Sequence, residues 1–309
     1  MLANFLNKSK PINFIGILVF FIICYLIAVI SAFFDAGFSA DKLLKSFILL
    51  LLFLSVFFFY NFILSKNRLT FDNSYAYFLF TLFIICILPE LNTYKTLISV
   101  TIYLFFLRKL YSLRSSKKVI QKLFDSGFWL GILFILEPIS ILFFILIFTG
   151  ISLHQKITLH TLFSPVVGFI APLFVYFTYF FWFDKTEEFT NIFDFKMNVD
   201  IELYTKTKFI WFFVFIFIAS LFSMIFKSAE TIGVSNTFRR SWTLLIINFL
   251  VVLLFLALLP NKNSSEVLFL LFPASVIITN GIQLIKKNSV KNLILYGFLV
   301  GSIFFCFFL

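Results

Sequence analysis

The chain has 309 residues, of which 61% are hydrophobic and only 13% charged, and its mean hydropathy is +1.06. Too few polar residues remain to cover a soluble domain of this size, so the composition excludes a soluble globular enzyme and indicates a multi-pass membrane protein. The net charge of +11 does not indicate nucleic acid, because the lysines and arginines concentrate in alternate loops, as expected of cytoplasmic segments. We therefore predict no nucleic-acid partner.

The spans alternate between the two membrane faces, starting from an amino terminus that Lys8 and Lys10 mark as cytoplasmic. Two spans of marginal length meet at a Pro89-Glu90 tip, where tilt or bilayer thinning is expected. The carboxyl terminus is predicted to be periplasmic. The predicted crossings are 14–34, 47–64, 75–88, 91–107, 162–183, 209–226, 242–259, 267–285 and 293–309.

A basic loop followed by a broken apolar run, 108–155, determines how the rest of the chain is oriented. The run is interrupted by Glu137-Pro138, and its halves, 127–136 and 139–153, would form about 15 Å and 22 Å of helix. Both are short of an apolar core of roughly 30 Å. A single span here would invert every later positive-inside signal. We predict two short helices that enter the membrane and return to the inner face at 154–160.

The fold class predicted from these segments is all-α. Nine crossings and the short broken pair give a polytopic protein of about eleven membrane helices, within a single transmembrane domain of residues 1–309. The outer loop 184–208 is the largest extramembrane piece. Its acids alternate with lysines, which favours a solvated or partly helical loop.

Four polar residues are candidates for chemistry. Glu137 lies at membrane depth, where an ionisable group costs a few kcal/mol or more unless it is paired, protonated or facing water. It is interpreted as a cap for the helix that Pro138 begins, as a partner in a buried hydrogen bond, or as a cavity-facing functional group. Asp35 and Glu90, at the outer ends of spans, are either general bases or solvated loop acids. Lys262 either contacts a phosphate or is solvated.

The layout resembles the GT-C-type membrane glycosyltransferases that use polyprenyl-phosphate-linked sugars. The resemblance rests on an acid after the first span, a basic central inner loop and three weak motifs: Gly-Phe-Trp-Leu-Gly-Ile-Leu-Phe-Ile-Leu-Glu-Pro-Ile-Ser (127–140), Leu-Leu-Pro-Asn-Lys (258–262) and Leu-Phe-Pro-Ala (271–274). It implies Asp35 as catalytic base, Lys262 as the carrier-phosphate contact, and Glu137 and Glu90 as residues lining the carrier cavity. It implies no resident cofactor, with a divalent cation at Asp35 as the alternative.

Three functions are compatible with this sequence. The leading hypothesis is a glycosyltransferase that acts at the periplasmic face of a bacterial inner membrane, with membrane lipids and a polyprenyl-phosphate carrier as partners. The second is a non-enzymatic subunit of an envelope or secretion complex, which requires a membrane-protein partner. The third is a transporter or lipid flippase, which a broken helix pair permits.

Overall fold

The computed structural model of the chain describes residues 2–36, 39–91, 93–155, 157–195, 209–231, 233–260 and 264–308. Within these ranges the secondary structure is helical, without strands. The α-helices are α1 (Leu2–Leu6), α2 (Pro11–Ala36), α3 (Ala40–Asn67), α4 (Tyr75–Ile87), α5 (Tyr94–Tyr111), α6 (Val119–Leu136), α7 (Phe144–His154), α8 (Leu159–Trp182), α9 (Thr186–Thr190), α10 (Phe209–Thr231), α11 (Asn236–Leu258), α12 (Leu268–Leu284) and α13 (Asn288–Phe308). The 3-10 turns are Leu88–Glu90, Ser112–Arg114, Pro138–Phe143, Asn191–Phe193 and Ser264–Val267.

Nine helices in the described part of the chain are long and apolar enough to cross a membrane. They are Pro11–Ile30, Ala40–Asn67, Tyr94–Arg114, Val119–Leu136, Leu159–Trp182, Ile210–Thr231, Asn236–Leu258, Ser265–Leu284 and Asn288–Phe305. Two further apolar stretches, Tyr75–Ile87 and Pro138–His154, are shorter. The all-α, multi-pass class is therefore confirmed, whereas the count of eleven membrane helices, the identity of the membrane and the orientation of the termini stay predictions.

The contacts divide the chain into two compact units. Unit 1 comprises Met1–Leu97, Tyr204–Val234 and Ser264–Leu309, and unit 2 comprises Ile98–Leu203 and Ser235–Asn263. The single transmembrane domain of residues 1–309 stays a prediction.

The core of unit 1 is built on α4 and α12, which pack against each other. All 13 residues of α4 are buried, because this helix is apolar on every side and α2, α12 and α13 surround it. Tyr60 of α3 stacks on Phe80 at 3.8 Å between ring centroids, and its hydroxyl lies 2.7 Å from Ser275 Oγ. Because α4 is surrounded by protein rather than by lipid, its length need not match the thickness of the bilayer.

Hydrogen bonds join the amino-terminal segment, the predicted inner loop before α4 and the last part of α12 in unit 1. The contacts are Ala3 N–H to Asn292 Oδ1 (2.8 Å), Ser74 N–H to Leu6 O (2.9 Å) and Asn280 Nδ2 to Leu69 O (3.1 Å). Elsewhere in unit 1, Tyr25 OH donates to Ser46 O at 2.6 Å and Thr96 Oγ1 lies 3.2 Å from Ser265 Oγ. The predicted alternation of loops stays a prediction.

Unit 2 contains the broken pair, and its chain returns as predicted. Gln155, just after α7, donates from Nε2 to Leu113 O at 2.6 Å, and so lies beside the turn that precedes α6. The predicted length of the first half is wrong, however. Helix α6 begins at Val119 rather than Gly127 and is 18 residues long, or about 27 Å. The basic residue Lys122 lies in the first turn of this helix, with its N–H bonded to Lys118 O and its Nζ bonded to Ser112 O and Ser115 O.

The first part of the predicted outer loop, as far as Phe195, packs onto α6 and α8 rather than standing in solvent throughout. Phe189 contacts Phe177 at 5.1 Å between ring centroids, and Phe193 contacts Phe134 at 5.7 Å. Its acids Glu187 and Glu188 lie in the first turn of the exposed helix α9. The aromatic side chains of this segment therefore pack it against α6 and α8 of unit 2, while its charged side chains remain exposed. Residues 196–208 lie outside the described ranges.

Candidate functional site

Three of the four predicted site residues have side chains outside the described part of the chain. Asp35 belongs to the last turn of α2 and Glu90 ends a 3-10 turn, but the structure describes only their backbone. Lys262 lies outside the described residues altogether. Their predicted roles therefore stay predictions, and the site that can be built is the one around Glu137 in unit 2.

Glu137 lies at the point where the chain leaves α6. Its backbone is extended, with φ −137° and ψ 91°, and its N–H donates to Leu133 O at 2.8 Å. Pro138 follows at the start of a 3-10 turn, as the sequence predicted. The half-buried Glu137 side chain forms no capping hydrogen bond with that turn. The prediction that its carboxylate caps the second helix is thus wrong.

The 3-10 turn after Glu137 carries a second polar group inward. Ser140 N–H donates to Glu137 O at 2.9 Å, which holds the turn closed. The Ser140 side chain is fully buried, and its Oγ has no hydrogen-bond partner among the described atoms. A carboxylate that is half-buried and a hydroxyl that can still donate are both suited to bind a polar ligand group. The turn therefore carries a half-buried carboxylate and a fully buried hydroxyl three residues apart.

An aromatic wall supports the turn from behind. Phe143 lies 5.1 Å from Tyr103 and 5.2 Å from Phe255 between ring centroids, and all three are fully buried. Tyr103 OH donates to Asn248 Oδ1 at 2.6 Å, which ties α5 to α11 inside unit 2. The turn that carries Glu137 and Ser140 consequently rests on packed side chains with little freedom to move.

We expect Asn248→Leu to destabilise the protein by about 2 kcal/mol, because the buried Tyr103 hydroxyl loses its acceptor. The double variant Tyr103→Phe/Asn248→Leu removes both polar partners and should recover a large part of that loss. Denaturant titration in detergent measures both effects. Equal losses in the single and double variants would show that packing, rather than the hydrogen bond, accounts for the change.

A close helix contact positions α6, and the sequence analysis did not predict it. A Cβ added to Gly127 would lie 1.9 Å from Pro165 O, and one added to Gly131 would lie 2.5 Å from Phe169 O. Gly168 of α8 approaches Phe124 O in the same way, at 2.1 Å. The available signal was the Gly-x-x-x-Gly spacing of 127 and 131, which lets membrane helices approach backbone to backbone. This contact places the Glu137 end of α6 beside α8.

No three His, Cys, Asp or Glu side chains lie together as a metal site within the described ranges. The side chain of Asp35, where a divalent cation is the predicted alternative, lies outside these ranges. The site around Glu137 therefore contributes a carboxylate, a hydroxyl and an apolar surround rather than a set of metal ligands. Such a group suits hydrogen bonding to hydroxyls, or proton transfer to or from them.

Comparison with known proteins identifies a family for this chain but does not assign it an activity. No curated protein and no solved structure matches the chain. One family model matches, over residues 1–309, and it is described as a family of unknown function, DUF6427. Because the match extends over the whole sequence, the chain belongs to the DUF6427 family.

Proposed function

We propose that this protein is a GT-C-like membrane glycosyltransferase that uses a sugar linked to a polyprenyl phosphate. The observation that carries the proposal is Glu137, a half-buried carboxylate held at a helix break within the apolar hairpin of unit 2. An ionisable group at such a depth is costly unless it is paired, protonated or facing water, and ionisable residues within membrane segments mark functional sites. The rigid aromatic wall behind it favours a binding role, because precise positioning is what a sugar hydroxyl requires.

In the proposed reaction an acceptor hydroxyl attacks the anomeric carbon of the sugar. The new carbon–oxygen bond forms as the bond from that carbon to the carrier phosphate breaks, and the acceptor proton passes to the Asp35 carboxylate. The polyprenyl phosphate leaves with its negative charge held by Lys262. Glu137 and Glu90 are proposed to accept hydrogen bonds from sugar hydroxyls in the carrier cavity.

The test is release of polyprenyl phosphate by the purified protein in lipid nanodiscs supplied with polyprenyl-phosphate-linked sugars and with sugar acceptors that carry free hydroxyl groups. We expect Asp35→Asn to lower the rate by 10²-fold or more, in keeping with loss of a general base. Glu137→Gln should instead raise KM about tenfold, since it removes one charged hydrogen-bond acceptor from binding. The matched control is Glu188→Gln in the exposed helix α9, which should leave both constants unchanged.

Release at equal rates in the wild type, Asp35→Asn and a preparation without protein would rule out the transferase. Release that depends on Asp35 but not on Glu137 would support the proposed reaction and would show that Glu137 does not bind the carrier-linked sugar. The two variants therefore test separate parts of the proposal.

A second candidate, a non-enzymatic subunit of a membrane complex, is favoured by the exposed face of α8. Phe174 is 67% exposed and Trp182 80% exposed in the isolated chain. A photo-crosslinking side chain at Phe174 should then give a protein adduct of one defined mass in native membranes. Leu293, 74% exposed on α13, is the matched control site and should yield lipid adducts. Lipid adducts at both positions would argue against the subunit.

A further inference from the structure

One face of α12 in unit 1 carries polar side chains on successive turns. Ser275, Thr279 and Gln283 follow one another at intervals of four residues, and Asn280 lies three residues before Gln283. Residues three and four apart are neighbours on a helix, so these four side chains form one polar face about 12 Å long. Ser275, Thr279 and Asn280 are fully buried, and the other buried residues of α12 are all apolar. Such a face is costly unless its polar groups are hydrogen-bonded.

Two long-range hydrogen bonds hold this polar face of α12 against α3 and the chain that follows α3. Tyr60 OH lies 2.7 Å from Ser275 Oγ, and Asn280 Nδ2 donates to Leu69 O at 3.1 Å. Asn280 Nδ2 also donates to Val276 O at 2.9 Å. Both hydrogens of this amide are therefore used, which fixes the side chain and leaves its Oδ1 as an acceptor.

Four polar atoms of the same face are buried without a protein partner. Thr279 Oγ1, Asn280 Oδ1 and the Gln283 amide atoms Oε1 and Nε2 form no hydrogen bond with any described residue. A buried threonine of α4 behaves differently, because Thr81 Oγ1 donates to Tyr77 O at 2.8 Å. Buried polar groups almost always have a partner, either protein or bound water. Three adjacent side chains without one therefore indicate a ligand.

The donor and acceptor types of these atoms restrict what the ligand is. Asn280 Oδ1 only accepts, Gln283 Nε2 only donates, and the Thr279 hydroxyl does both. A metal cation would leave Gln283 Nε2 without an acceptor, and an anion would leave Asn280 Oδ1 without a donor. Water satisfies both, and a buried water molecule typically makes about three hydrogen bonds to groups that lack other partners.

We propose that the polar face of α12 binds water molecules, which form a route from the carboxyl end of α12 to the buried hydroxyl of Tyr60. The route opens at Gln283, whose side chain is partly exposed although its amide atoms are buried. It passes Thr279 and ends at Ser275, the hydrogen-bonded neighbour of Tyr60. The site lies within unit 1 and does not depend on the transferase proposal.

The test is water-edited solid-state NMR of the full-length protein in lipid bilayers, which measures how fast magnetisation passes from water to each side chain. Transfer to Thr279 should be about threefold faster than to Thr81 or more, because bound water lies within hydrogen-bond distance of Thr279. Thr81 is the matched control, since it is an equally buried threonine of unit 1 with a protein partner. Equal rates at the two threonines would overturn the proposal.

Two variants test the route and the identity of its occupant. Gln283→Leu removes two of the four polar atoms and should slow transfer to Thr279 about twofold or more, leaving Thr81 unchanged. Thr279→Val should slow transfer to Ser275, whereas the control Thr81→Val should not. Unchanged transfer in both Gln283→Leu and Thr279→Val would contradict a water route. Thr279 and Asn280 signals that shift with sodium chloride but not with choline chloride would assign the site to a cation instead of water.

Discussion

Gly127→Ala is expected to destabilise the protein by about 3 kcal/mol or more. The added methyl group would lie 1.9 Å from Pro165 O, with the carbonyl carbon and Cα of the same residue within 2.9 Å. These are backbone atoms, which cannot move away through a rotamer change as side-chain atoms can. Helices α6 and α8 must therefore separate or distort. Denaturant titration of the purified protein in detergent measures the loss.

The same substitution elsewhere in the chain provides the control. Gly297 and Gly301 of α13 share the Gly-x-x-x-Gly spacing, but a Cβ added at either position meets nothing within 4 Å. Gly297→Ala should therefore leave stability unchanged or raise it by up to about 1 kcal/mol, because alanine favours a helix. Equal losses from Gly127→Ala and Gly297→Ala would show that helix propensity, rather than the α6–α8 contact, determines the result.

Glu230→Gln is expected to destabilise unit 1 by about 3 kcal/mol. Lys227 is 1% exposed, and its Nζ lies 2.5 Å from Glu230 Oε2 and 5.0 Å from the centre of the Phe71 ring. Removing the carboxylate leaves a buried ammonium group without its counter-charge, which is the costly way to break such a pair. The expected loss of stability is at the lower end of the range for broken buried ion pairs, because the Glu230 side chain is 52% exposed.

Lys227→Met should behave in the opposite way. Methionine fills a similar volume beside Phe71 without a charge to desolvate, so stability should stay within about 1 kcal/mol of the wild type. The double variant Lys227→Met/Glu230→Gln should resemble Lys227→Met alone, since no buried charge remains. A larger loss from Lys227→Met than from Glu230→Gln would assign Lys227 a structural role beyond this ion pair. Thermal unfolding in detergent distinguishes these outcomes.

The candidate site was partly predictable from residues 127–140. Glu137-Pro138 interrupts an apolar run, and proline cannot continue a helix on its amino-terminal side without losing a hydrogen bond, so the break could be located in the sequence. The role of the Glu137 carboxylate could not, because capping depends on where the side chain points. Ser140 also gave no signal, since one serine in an apolar stretch is buried or exposed according to what packs against it.

What the sequence determined by itself was the all-helical, multi-pass class, the return of the broken pair and the tip at Leu88–Glu90. These follow from local properties, namely the hydropathy of each segment and the backbone restrictions of proline. Only the tertiary structure decided that α6 begins at Val119, that Lys227 is buried and that Phe193 packs on Phe134. Those features depend on contacts between residues far apart in the chain. The free energies of such contacts are not determined by any local sequence pattern.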